Sequence, residues 1–104
     1  MTDSSWTWPS VLAAAMSETS VPPDGVAWAM GHILDDQATS AQIAAFVTAL
    51  RVRGESPEHV RALVDSMMDR AVLIDPEQRP SVVVDVVGTG GDGSNSVNIS
   101  TMTA

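Results

Sequence analysis

From residue 8 to residue 70 apolar side chains recur at the three- and four-residue intervals of amphipathic helices, interrupted by short polar links. Trp6, Trp8 and Pro9 precede Val11, Leu12, Ala15 and Met16, so a first helix is predicted to open at Pro9 or Ser10 and to begin its exit at Ser17, with the tryptophans docking it onto a neighbour. A second opens after Pro22 and Pro23 with Asp24 and carries Val26, Ala27, Met30, Ile33 and Leu34; Asp35 and Asp36 suit the negative end of a helix dipole poorly and mark its stop. Thr39 or Ser40 caps a third, with Ile43, Phe46, Val47 and Leu50 on one face, Arg51 and Arg53 in its last turn and Gly54 beyond. Ser56 caps a fourth, with Pro57 and Glu58 in its first turn and Val60, Leu63, Val64, Met67 and Met68 predicted along its buried side. The links are short, which predicts a small bundle. Its summed apolar surface exceeds what so small a bundle hides, which predicts self-association.

The period changes after Asp75, Pro76, Arg79 and Pro80. Residues 82–87 are all valine except Asp85, the pattern of a buried strand. They run into Gly88, Thr89, Gly90, Gly91, Asp92 and Gly93, then a polar stretch to Asn98 and a helix-like start at Ser100. The predicted organisation is a helical domain over 1–74, a linker over 75–81 and the beginning of a second domain over 82–104. The fold class is mostly α: a small helical bundle followed by the first strand and glycine-rich loop of an α/β domain.

Composition narrows what such a chain can do. With 104 residues one compact core is feasible, and 44% apolar against 17% charged residues argues for a globular, soluble chain. Five arginines face thirteen carboxylates, there is no lysine, and the formal charge is −8. Such a surface repels polyanions, so neither nucleic acid nor an anionic membrane is expected as a partner. The lack of cysteine removes disulfides and thiolate metal sites. No apolar run approaches a membrane span, and residues 1–9 have no basic segment followed by an apolar one, so a cytoplasmic location is expected.

The glycine cluster carries the chemistry. Placed between a strand and a helix start, it lets the backbone approach a ligand closely and turn amides toward phosphate oxygens. Gly88, Gly90 and Gly93 also satisfy G-x-G-x-x-G. Against a dinucleotide fold stand Asp92, which phosphate repels unless magnesium or a sugar hydroxyl lies between, and the absence of the later acidic residue that binds ribose. No lysine follows the glycines, so the segment is not a P-loop either. The hydroxyls and amides of Ser94, Asn95, Ser96, Asn98, Ser100 and Thr101 suit a sugar phosphate; they position a ligand, and no base lies near them to make a nucleophile. Taken alone, the cluster is also compatible with a purely structural turn.

The string DVVGTGGDGSNSVNISTMTA at 85–104 closely resembles the signature of anthranilate phosphoribosyltransferases. The rest of the chain is similar to that family's helical domain in its Trp-Pro start, in AWAM at 27–30, ATSAQIAAF at 38–46 and LRVRGE at 50–55. The resemblance implies transfer of phosphoribosyl from phosphoribosyl pyrophosphate to the amino group of anthranilate in tryptophan biosynthesis. It implies that 82–104 begins the family's α/β phosphoribosyltransferase domain. It further implies that Gly88, Gly91, Asp92, Ser96, Asn98, Ile99, Ser100 and Thr101 line the phosphoribosyl pyrophosphate site, with Gly88 near anthranilate, Ser100 a ligand of Mg2+, and no residue of this chain a chemical catalyst. A homodimer formed through the helical domain is implied as well. Family members are much longer, so this chain is expected to lack the basic residues and the acidic pair that complete the site, and to be inactive alone.

Other readings remain beside these. A related nucleoside phosphorylase shares the architecture, and a non-enzymatic helical association module would need only the first domain. His32 and His59 are read as solvent-facing or capping, and Met30, Met67 and Met68 as core filler or packing surface. Asp35-Asp36 and Asp75-Glu77 are read as solvated ends and linker. Asn98-Ile99-Ser100 is a formal glycosylation acceptor without consequence in the cytoplasm.

Overall fold

A computed structural model describes residues 6–75, 77, 80–88, 97 and 99–103, with the side chain of Thr101 not described. The chain divides into two compact units, Met1–Val72 and Leu73–Ala104. The first contains α1 (Trp8–Met16), α2 (Pro23–Leu34), α3 (Ser40–Arg53) and α4 (Pro57–Met68); the second contains α5 (Ile99–Thr103).

In the first unit α1 packs on α3 and α2 packs on α4, while α1 and α2 touch each other. The core is made of Trp8, Val11, Ala15, Val21, Val26, Ala29, Phe46 and Leu50. The tryptophans dock α1 as expected. The Trp8 ring meets Trp28 of α2 edge-on at 5.5 Å and Phe46 of α3 at 6.3 Å. Trp6 donates its indole N–H to Asp24 at 3.0 Å. Its ring lies so close to buried Gly25 that a Cβ there would sit 3.1 Å from it, so α2 needs a residue without a side chain at this crossing.

Each helix boundary has a local cause. α1 opens at Trp8, ahead of Pro9 and Ser10, because Thr7 caps it and exchanges bonds with Ser10 in a reciprocal box. Thr39 and Gln42 form the same box on α3, and Ser56 and His59 form it on α4. α2 ends in a Schellman turn, in which the amides of Asp36 and Gln37 donate to the carbonyls of Ile33 and His32 and Asp36 takes φ 56°. α3 ends at Gly54, φ 85°, a backbone angle that glycine adopts without strain. Arg53 turns back and donates to the carbonyls of Met16 and Ser17, placing a cation on the negative end of α1.

The buried face of α4 is not the predicted one. Val60 is 50% exposed, and Val64, Met67 and Met68 are similarly open. His59 and Ser66 face inward, with Ala62 and Leu63 half-buried. The reason is hydrogen bonding. Ser66 donates to the Ala62 carbonyl at 2.8 Å. A backbone amide can only donate and a carbonyl can only accept, so His59 Nδ1 accepts from Ser56 N–H (3.3 Å) and Nε2–H donates to Val21 O (2.7 Å). His59 is therefore a capping residue with both ring nitrogens hydrogen-bonded, 3% exposed rather than facing solvent. Small or satisfied polar groups let α4 approach α2, and the larger apolar residues are left outside. On α3 likewise, Phe46 and Leu50 are buried but Val47 is exposed.

In the second unit the strand expected over 82–87 is absent: those residues form no ladder, and their five valines are exposed. Among the described residues there is no strand at all. β-branched residues favour extended backbone, but a strand exists only against a partner, and among the described residues none is present. The helix start expected at Ser100 is α5, which begins one residue earlier.

Two measurements test this packing. Phe46, 1% exposed at the meeting of α1 and α3, should cost about 3–5 kcal/mol when replaced by alanine, read as a lower urea midpoint without loss of slope. Arg70 donates to both carboxylate oxygens of Asp35, at 2.7 and 2.9 Å, and these bonds hold the carboxyl below its ordinary value of 3.8. A depressed folded value means the contribution is present above that pH and lost as pH falls through the folded value. The two groups are exposed, so the effect is small and weakened by salt. The stability difference between wild type and Asp35→Asn, measured by urea unfolding, should therefore be present at neutral pH and vanish in acid.

Candidate functional site

Of the expected substrate-site residues, the structure places Gly88, Ile99, Ser100 and Thr101. Gly88 is exposed and follows the irregular valine segment. Ile99, Ser100 and Thr101 form most of α5, with Ile99 exposed and Ser100 half-buried. The turn is closed by Thr103, whose hydroxyl donates to the Ile99 carbonyl at 2.7 Å. Gly91, Asp92, Ser96 and Asn98 lie outside the described residues.

What the segment can do chemically is limited by its charge. No lysine or arginine follows Arg79, while Asp85 and Asp92 are both acidic. Amides and hydroxyls orient phosphates, but several phosphate charges leave water only when cations replace that hydration. Among the described residues no three His, Cys, Asp or Glu side chains converge on a metal position. A lone Ser100 hydroxyl does not fit a magnesium site by itself, because Mg2+ takes an octahedral oxygen set that usually includes carboxylate or phosphate. No step of a reaction follows from this chain through that ion.

The described residues of the helical unit line a groove and a smaller cavity. A groove of about 560 Å3 runs between α1 and α3, walled by Met16, Ala44, Ala45, Thr48, Ala49 and Val52. Its α3 residues recur at helical spacing, a signal that reading only the large side chains of α3 passes over. A smaller cavity of about 210 Å3 lies where the ends of α1 and α3 meet the start of α4. His32 belongs to neither surface: its Nδ1–H donates to Trp28 O at 3.0 Å and its ring lies 3.9 Å from that of Trp28. Among the described residues no helix is long and apolar enough to cross a membrane.

The four-helix unit and the segment after it are similar to known proteins. Residues 9–71 match the helical bundle domain of the glycosyl transferase family, and the chain belongs to that family. It is 54% identical over 98 residues to an anthranilate phosphoribosyltransferase of Rhodococcus opacus, an alignment covering 92% of this chain and 26% of the relative. The enzyme of the same name from Nocardioides sp. is 52% identical over 98 residues, covering 94% of this chain and 28% of the relative. That from Acidothermus cellulolyticus is 43% identical over 104 residues, covering 100% and 28%. The chain thus matches the amino-terminal region of these enzymes and spans about a quarter of their length. No solved structure matches it.

Proposed function

We propose that this chain is the amino-terminal portion of a cytoplasmic anthranilate phosphoribosyltransferase, contributing the helical domain and the first phosphate-binding segment. The observation that carries the reading is the identity of 54% over 92% of the chain. The reaction moves phosphoribosyl from phosphoribosyl pyrophosphate to the amino group of anthranilate. As the bond to pyrophosphate breaks, positive charge grows on the ribose and negative charge on the leaving group. Catalysis then rests on positioned dipoles rather than on a nucleophile of the protein. The part assigned here to Gly88, Gly91, Asp92, Ser96, Asn98, Ile99, Ser100 and Thr101 is to hold the substrate in that geometry. Ser100 is proposed as one Mg2+ ligand among others this chain does not supply. Phosphoribosyl anthranilate formation should be undetectable with the 104-residue chain and appear when a polypeptide covering the rest of a homologous catalytic domain is added. In the complemented enzyme Ser100→Ala should lower turnover about ten- to a hundredfold. Turnover by the chain alone would overturn the proposal that its site is incomplete.

The α1–α3 groove supports a second part of the reading, a homodimer formed through the helical domain. Its small side chains let a helix backbone approach closely, and its lining is almost entirely apolar. Sedimentation at micromolar concentration should give a dimer. Ala45→Arg, on the exposed wall of the groove, should give a monomer of unchanged helicity, and a wild-type monomer would refute the assignment.

A further inference from the structure

Residues 82–87 expose two kinds of unsatisfied surface at once. Their five valines are each at least 50% exposed, and none of their backbone amides or carbonyls bonds to another described residue. Either feature alone is common in a loop. Together, on β-branched residues that favour extended backbone, they make a template for strand addition, in which main-chain bonds give affinity and side chains set the register.

Alternation decides what that template fits. Successive side chains of an extended backbone point to opposite faces, so Val82, Val84 and Val86 share one face and Val83, Asp85 and Val87 the other. A second copy of the segment complements this pattern when it runs antiparallel with Val84 opposite Val84. Val82 then faces Val86 of the other copy, Asp85 faces Val83, and the three valines of each copy join in one unbroken apolar face. A parallel in-register pair makes the same valine face but sets Asp85 beside Asp85, and like charges directly opposite are destabilising.

We propose that the valine segment is a self-association strand: residues 82–87 of one chain pair antiparallel with residues 82–87 of a second copy, centred on Val84. This contact is separate from the α1–α3 groove and does not depend on it. Two strands alone are marginal. Each pair keeps an unpaired edge on both sides, however, so further copies add and assembly does not close at two. The charge of −8 on each chain opposes approach, so salt should promote this association.

Infrared amide I spectra of the 104-residue chain should show an antiparallel β signal that rises with protein concentration and with salt, while the helical signal stays constant. Val83→Pro combined with Val84→Pro takes one amide donor from each edge of the strand and should abolish the rise. Neither residue belongs to the first compact unit, so unchanged helicity is the control for folding. The chain has no cysteine, which lets a thiol crosslinker of short span read the register. Val82→Cys chains mixed with Val86→Cys chains should crosslink, whereas neither variant should crosslink alone, because the two residues 82 of an antiparallel pair lie about 13 Å apart along the strand. The proposal fails if no β signal rises with concentration, if the paired prolines leave that rise intact, or if Val82→Cys crosslinks alone as well as in the mixture.

Discussion

Three helices of the first unit meet at one ring. Trp8 belongs to α1, lies edge-on to Trp28 of α2 and to Phe46 of α3, and is itself buried. Edge-to-face pairs bring a positive ring edge to a negative face and add to what burial alone contributes. The contacts α1–α3 and α2–α4 are the extensive ones, and Trp8, with the rest of the shared core, joins the two pairs. α4 reaches this centre only indirectly, through α2 and through the His59 bond to the carbonyl of Val21. That bond fixes where the fourth helix begins.

Much of this arrangement is legible in the residues, and the exceptions share a cause. Caps were readable at Ser56 and Thr39 because a hydroxyl three residues before a partner side chain is a local signal. The stop of α2 at Asp35 was readable from two carboxylates at the negative end of a helix dipole, although the bond from Arg70 that makes that carboxylate favourable joins residues 35 positions apart. The buried face of α4 was misread because a count of apolar residues cannot see that His59 and Ser66 have their polar atoms satisfied. The 82–87 segment forms no ladder among the described residues because β propensity describes a residue, whereas a ladder needs two segments. Alanines 44, 45 and 49 went unremarked as a surface because small residues serve equally in cores and on exposed faces. The glycine segment was legible as a string of residue types, and its placement in space is a separate matter that spacing alone does not determine.

Charge connects the two ends of the argument. A chain at −8 is a poor host for a polyphosphate, yet the proposal assigns phosphoribosyl pyrophosphate to residues 88–101, which include Asp92 and no lysine or arginine. In the proposed enzyme the binding of phosphate and the supply of cations are thus separate tasks. In that proposal the residues near Gly88 and Ser100 supply shape, and the charge comes from elsewhere. The helical unit has a simpler task, because its core and the side-chain caps of α1, α3 and α4 are built from its own residues.

The interleaving of the helix pairs has a consequence for how the unit comes apart. α1 pairs with α3 and α2 with α4, so a cut in any link separates members of at least one pair. No half of the sequence contains a self-sufficient half of the core. Such a unit opens as one cooperative foldon, with amides of all four helices exchanging through the same global event and only their frayed ends exchanging sooner.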